Sequence, residues 1–128
     1  LTGATPEQDL IARQIVDSAF AVHTSLGPGL LESVYEQCLA FELGTRDIAV
    51  QRQVSVPVNY RGAQFQAGFR IDMIVGQLVV IEVKAAEKIL PIHEAQLLTY
   101  LKLSGYRVGF LINFNVPLIK DGIRRMIR

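Results

Sequence analysis

The chain has 128 residues, a net charge of +1 and hydrophobic side chains at half of its positions. That length suits one domain with a sizeable core, and no apolar run reaches the ~18 residues of a membrane span. The single cysteine, Cys38, excludes an internal disulfide and a cysteine-based zinc site and fits a reducing cytoplasm, the expected compartment; no secretory signal is visible, and a start at Leu1 without Met leaves room for a removed upstream piece.

The charge is unevenly spread. Residues 1–50 hold Arg13 and Arg46 against seven acids, whereas residues 51–128 hold eleven lysines and arginines against five acids. A basic half is a mild pointer to a polyanion, and it is equally what an ordinary solvated surface looks like.

The first element is an amphipathic helix over about 7–26. Leu10, Ile11, Ile15, Ala19, Val22 and Leu26 recur at helical spacing. Thr5-Pro6-Glu7 is its start signal and Gly27-Pro28-Gly29 its end. A second helix runs from about Leu31 to Leu43 and is expected to stop at Gly44. Its stripe is Leu31, Val34, Tyr35, Cys38, Leu39 and Leu43, with Cys38 packing in the core. From Ala49 the period changes to two. A first strand carries Val50, Val54, Val56 and Val58 to a turn at Asn59–Gly62. A second spans about Gln64–Val75, and a third about Leu78–Ala85 beyond a turn at Gly76-Gln77; the three should form an antiparallel meander. Pro91 precedes a third helix, about Ile92–Ser104, carrying Ala95, Leu98, Leu101 and Lys102 and ended by Gly105. Val108–Phe114 reads as a fourth strand and Gly122–Ile127 as a short fifth. The order ααβββαββ means an α/β (or α+β) sandwich, a single domain over 1–128 with helices covering a sheet.

Three charges stand inside the apolar strands: Asp72, Glu82 and Lys84. Glu82 and Lys84 are two apart and share a strand face, and Asp72 lies across the Gly76-Gln77 turn. Buried charge is costly unless it is paired or holds a metal. Two converging carboxylates suit a hard cation such as Mg²⁺, and a lysine beside it can orient water or stabilise developing negative charge. Together they read as phosphodiester hydrolysis. A surface ion pair is the other reading of the same spacing, and the flanking Val79, Val80, Ile81 and Val83 weigh against it.

Other polar residues have a bland reading beside the functional one. Glu32 opens the second helix, where a carboxylate suits the helix dipole; Glu36, one turn on, is expected on a solvated face. Gln96 and Tyr100 share a face of the third helix, where Gln96 either positions a water or phosphate or is a polar boundary residue. His23 is expected at a helix surface or boundary, and His93 as a cap or in solvent. The serines lack a nucleophile-elbow context, and Gly27-Pro28-Gly29 follows a helix, which excludes a P-loop or dinucleotide signature.

Gly29-Leu-Leu-Glu32-Ser-Val-Tyr35 has the form GxxExxY. With Gly27-Pro-Gly29, Arg70-Ile-Asp72, Ile81-Glu82-Val-Lys84-Ala85, Gln96-Leu-Leu-Thr-Tyr100 and Gly109-Phe-Leu-Ile-Asn113-Phe, the chain from about Ile11 to Arg125 resembles the small prokaryotic GxxExxY proteins of the PD-(D/E)XK nuclease superfamily. The resemblance implies a restriction-endonuclease-like αβββαβ core and a Mg²⁺- (or Mn²⁺-) dependent nuclease acting on DNA or RNA. Asp72 and Glu82 would be the metal ligands, with the main-chain carbonyl of Val83 as a third and Glu32 joining through water. Lys84 would be the catalytic lysine, and Gln96 matches the polar residue often found on the following helix. Ile71 stands where the superfamily often has proline. A non-cleaving nucleic-acid- or protein-binding module on the same fold is the alternative. A two-fold dimer would double the grip on a duplex. Arg124, Arg125 and Arg128 are expected to cluster, and with Arg52, Arg61, Lys88, Lys102, Arg107 and Lys120 to offer phosphate contacts.

Overall fold

A computed structural model describes residues 3–128. Helix α1 (Pro6–Leu26) begins with a reciprocal cap: the Thr5 hydroxyl accepts from the Gln8 N–H, and the Gln8 side chain accepts from the Thr5 N–H at 2.8 Å. Helix α2 (Glu32–Thr45) does not stop at Gly44. Gly44 stays helical and the break falls after Thr45, where Asp47 takes a left-handed φ of 60°. Strands β1 (Val50–Tyr60), β2 (Ala63–Val75) and β3 (Val79–Lys84) follow, then helix α3 (Pro91–Ser104), β4 (Val108–Asn113), a 3-10 turn at Ile119–Gly122 and β5 (Ile123–Ile127). The ααβββαββ order expected from the sequence is the order of the fold.

One sheet holds the strands in the order β1-β2-β3-β4-β5. All pairs are antiparallel except β3–β4, which is parallel and bridged by α3. Helices α1 and α2 cover one face, packing Ile15, Ala19, Tyr35, Leu39 and Leu43 on Val79, Ile81 and Val83. Helix α3 covers the other, packing Leu97 and Leu101 on Ile71, Val80 and Leu111. The outcome is a mixed α+β sheet flanked by helices.

Three sequence expectations fail in detail. Leu31 is 73% exposed, because it is the extended N-cap of α2 and lies outside the helical stripe. Leu10 and Leu98 are also exposed, since Ala12 on α1 and Leu97 on α3 take the inward positions. His23 is buried, its Nε2 2.8 Å from the Val116 carbonyl, and so ties α1 to the loop after β4.

The β1–β2 ribbon changes face part-way along. Val50, Met73 and Val75 pack with α1 and α2, whereas Val54, Val56, Phe69 and Ile71 pack with α3. Residues 50 and 54, or 71 and 73, would share a face in a regular strand. The switch falls at the Gln53–Asp72 position, where Gln53 has a φ of 52°. Both tight turns expected for the meander form with paired positive φ, at Arg61-Gly62 and Gly76-Gln77, the handedness that matches strand twist.

Two glycines give opposite expected outcomes. Gly44 is helical with open space around it, so Gly44→Ala should raise stability by about 0.5–1 kcal/mol. A Cβ at Gly122 would collide with the Asn113 carbonyl oxygen, so Gly122→Ala should cost about 1–3 kcal/mol. Urea denaturation of the two variants checks both signs.

Candidate active site

The backbone ladder between β2 and β3 runs through Val75–Val79, Ile74–Val80 and Met73–Ile81 and goes no further. Beyond it two carboxylates take the place of backbone acceptors. The Asp72 N–H donates to Glu82 Oε2 at 2.9 Å, and the Val83 N–H donates to Asp72 Oδ2 at 2.9 Å. The strands therefore fork, with the two acids wedged in the fork and each holding the other strand's backbone. β3 keeps its pairing to β4 out to Lys84–Asn113, so the fork opens on the β2 side.

This arrangement buries Glu82, which is only 5% exposed, and half-buries Asp72. Burial, with the nearby Asp72 charge adding to it, pushes the Glu82 carboxyl up to about 8; its backbone hydrogen bond and the Lys84 charge oppose the rise. Asp72 is also raised, chiefly by burial and then by the charges of Glu36 and Glu32, against the hydrogen bond from Val83. Four acids thus act on one region, with the Lys84 charge opposing them at Glu82.

Glu32 is the first residue of α2 and is exposed. Its placement depends on Tyr35, whose hydroxyl donates to the Gly27 carbonyl at 2.5 Å and accepts from the Leu30 N–H at 3.1 Å. The Tyr35 ring stacks on Phe114 at 4.7 Å. Gly29 enters the helix with a φ of 100°, which a side chain would resist. In the GxxExxY segment the glycine makes the turn, the tyrosine anchors it and the glutamate is presented at the helix start.

On the opposite side, α3 brings Gln96 and Tyr100. The Tyr100 hydroxyl is pushed up by burial and by the Glu82 and Asp72 charges, with the neighbouring Gln96 side chain opposing the rise. The Tyr100 ring stacks on Phe69 of β2 at 4.5 Å. Asp72, Glu82, Lys84 and Glu32 thus act on one another through their charges, and Gln96 neighbours Tyr100, which feels the same acids.

Sequence reasoning missed three members of the surroundings. Glu36 is not on a solvated face: it is 6% exposed, its Oε2 receives Arg52 at 2.9 Å and its Oε1 receives Gln53 at 2.8 Å. The same Gln53 amide reaches Asp72 Oδ1 at 3.4 Å. Glu36, one turn after Glu32, is expected on a solvated face because nothing local announces Arg52 and Gln53 as partners; a polar run, Gln51-Arg52-Gln53, inside a valine strand is the available signal. Asn113 is the third. Its side chain accepts from the Ala86 N–H at 3.0 Å and donates to the Ala86 carbonyl at 2.9 Å, fixing the chain just beyond Lys84.

The C-terminal arginines do not cluster. Arg124 pairs with Glu94 on α3, Arg125 with Asp9 on α1, and Arg128 donates to the Leu101 and Tyr106 carbonyls. Alternation along β5 sends neighbours to opposite faces. Arg52 is likewise held by Glu36 rather than free for phosphate.

The donor set fits a hard divalent ion. Among the described residues no three acidic, histidine or cysteine side chains converge into a closed cage, but Mg²⁺ is held by one or two carboxylates with water filling the rest. Excess carboxylate in a desolvated fork is an environment that a cation relieves. Among the described residues no helix is long and apolar enough to cross a membrane.

Comparison with known proteins is consistent with this geometry. Neither the curated proteins nor the solved structures give a match. A family model for the PD-(D/E)XK nuclease superfamily matches residues 9–126, including the fork, the α2 start and α3. Members of that superfamily generally use divalent metals on nucleic-acid substrates. With nearly its whole length covered, the chain belongs to the PD-(D/E)XK nuclease superfamily.

Proposed function

We propose that this chain is one nuclease-like domain that hydrolyses nucleic-acid phosphodiester bonds with Mg²⁺ or Mn²⁺, and that its sequence places it with the GxxExxY proteins. The observation that carries the reading is the fork itself: two carboxylates replace ladder acceptors in a desolvated site with a lysine two residues on. Asp72 and Glu82 hold the ion, with the Val83 carbonyl as a further donor and Glu32 acting through water. The metal supplies Lewis acidity at a phosphoryl oxygen and lowers the pKa of water. Lys84 Nζ orients the attacking water and stabilises the negative charge that grows on the phosphate. Gln96 positions water or phosphate from α3. As water attacks phosphorus it gives up a proton to solvent, the opposite P–O ester bond breaks, and the leaving oxygen takes a proton from solvent.

Lys84→Ala should lower turnover by ~10²–10³, and Asp72→Asn, which keeps an acceptor for Val83, by at least as much. Gel cleavage assays on single- and double-stranded DNA and RNA with Mg²⁺, Mn²⁺ or EDTA check this. Wild type that takes up neither metal by calorimetry and cuts none of these substrates would instead be the non-cleaving module.

The pH dependence has a definite sign. Folding raises the Glu82 pKa from its ordinary 4.5 to about 8, so across that window the folded protein keeps a proton that the unfolded chain has released. Metal-free stability therefore falls as pH rises through this window, and Asp72 acts in the same direction. Metal needs both acids ionised. Millimolar Mg²⁺ should thus raise the melting temperature at the alkaline end and have little effect at the acid end; melting curves in Mg²⁺ and EDTA test it, and Glu82→Gln should flatten both trends.

Gln53 gives a sharper outcome. Its left-handed backbone is strained for a residue with a side chain, by ~1–2 kcal/mol. Gln53→Gly relieves that strain while removing the amide that joins Asp72 to Glu36. It should leave stability equal or higher and weaken metal affinity by ~10-fold or more, as loss of a supporting hydrogen bond does. Denaturation and calorimetry on the same preparation read the two effects.

A further inference from the structure

Past the face switch the β1–β2 ribbon leaves the sheet, because β2 pairs with β3 only over Met73–Val75. Its near half is covered by α3, with Phe69 stacked on Tyr100. Its far half is not: residues 59–66 are all exposed. There the register pairs Val58 with Phe65, Asn59 with Gln64 and Tyr60 with Ala63. Alternation therefore puts Val58, Tyr60, Ala63 and Phe65 on one face, and Asn59 and Gln64 on the other. Tyr60 is 63% and Phe65 56% exposed, two uncovered aromatic rings on diagonal positions of a two-stranded tip.

The charge along this ribbon is one-sided. From Gln51 to Ile71 there is no acidic residue, and there are three arginines. Arg52 is held by Glu36, whereas Arg61 at the tip and Arg70, two residues before Asp72, are exposed. The ribbon thus runs from the fork to a basic aromatic tip roughly 20 Å away at the rise of a strand.

We propose that the far half of the β1–β2 ribbon binds single-stranded nucleic acid and leads it to the Asp72–Glu82 fork. Unpaired bases stack on Tyr60 and Phe65, and Arg61 at the turn contacts a phosphate. A duplex has its bases already stacked and offers such rings little, whereas aromatic side chains on strands are a general platform for unpaired bases. This rests on the nuclease reading above and adds to it the strand form of the substrate. The basic, acid-free ribbon and its continuity with the fork are what select nucleic acid over another partner for this face.

The test is fluorescence anisotropy in EDTA with labelled oligothymidylate, oligouridylate and a duplex of equal length, beside metal-dependent cleavage of the same probes. Wild type should prefer the single strands. Tyr60→Ala with Phe65→Ala should weaken single-strand binding about 10-fold or more with an unchanged melting temperature, and Phe65→Tyr should restore it in part. Arg61→Ala should lower the salt dependence of binding by about one counterion. Wild type that binds or cuts, with the aromatic variants unaltered, overturns the ribbon and leaves the nuclease reading standing. Preference for the duplex does the same. Variants that bind the strands normally but change the sedimentation of the protein assign the face to a second copy and overturn the proposal. Wild type that neither binds nor cuts any probe and takes up no metal overturns both.

Discussion

The structure depends on an exchange of hydrogen-bond partners at one point in the sheet. Where β2 and β3 would continue their ladder, side-chain carboxylates accept the amides of Asp72 and Val83. An unmet buried amide is costly, so the acids are part of the framework as well as candidates for chemistry. The same exchange opens space. A continuous ladder would close the gap between the strands; the fork keeps it open and holds two carboxyl groups inside. The strand that departs at the fork can then turn over α3, which the face switch at Gln53 accomplishes.

Support for the fork comes from three directions. From α2, Glu36 takes Arg52 and Gln53, and Gln53 reaches Asp72. From β4, Asn113 clasps Ala86 just beyond Lys84, and the Phe114 N–H donates to the Lys84 carbonyl at 3.0 Å. From α3, Tyr100 stacks on Phe69. The acids are positioned through their backbone hydrogen bonds and Gln53, and the lysine through main-chain contacts.

Much of this was legible in the sequence because periodicity and turn chemistry are local. Thr5-Pro6, the Gly76-Gln77 turn, Gly105 and the valine-rich strands announce their elements, and the element order follows. Charges placed inside apolar strands drew attention to Asp72, Glu82 and Lys84. The parts that sequence reading missed are non-local. Glu36 looks like a surface residue until Arg52 and Gln53 arrive from another element. The clustered arginines of the C-terminus look like a patch until alternation separates them onto Glu94 and Asp9. The face switch leaves no mark in the valine pattern, because valine is apolar on either side. A polar residue with a left-handed backbone in mid-strand is a tertiary fact, and propensity alone does not express it.

The division of labour within Gly29–Tyr35 affects how loss-of-function data on this segment are to be understood. Glu32 is exposed and its charge reaches the two acids, whereas Tyr35 is wholly buried, gripping the Gly27 and Leu30 backbone and resting on Phe114. An inactive Tyr35 variant would look, in an activity screen, like the loss of a catalytic group. It would be an alignment fault: α2 would lose its anchor to the strand end beside Lys84, and a chemically intact Glu32 would be aimed at the wrong place.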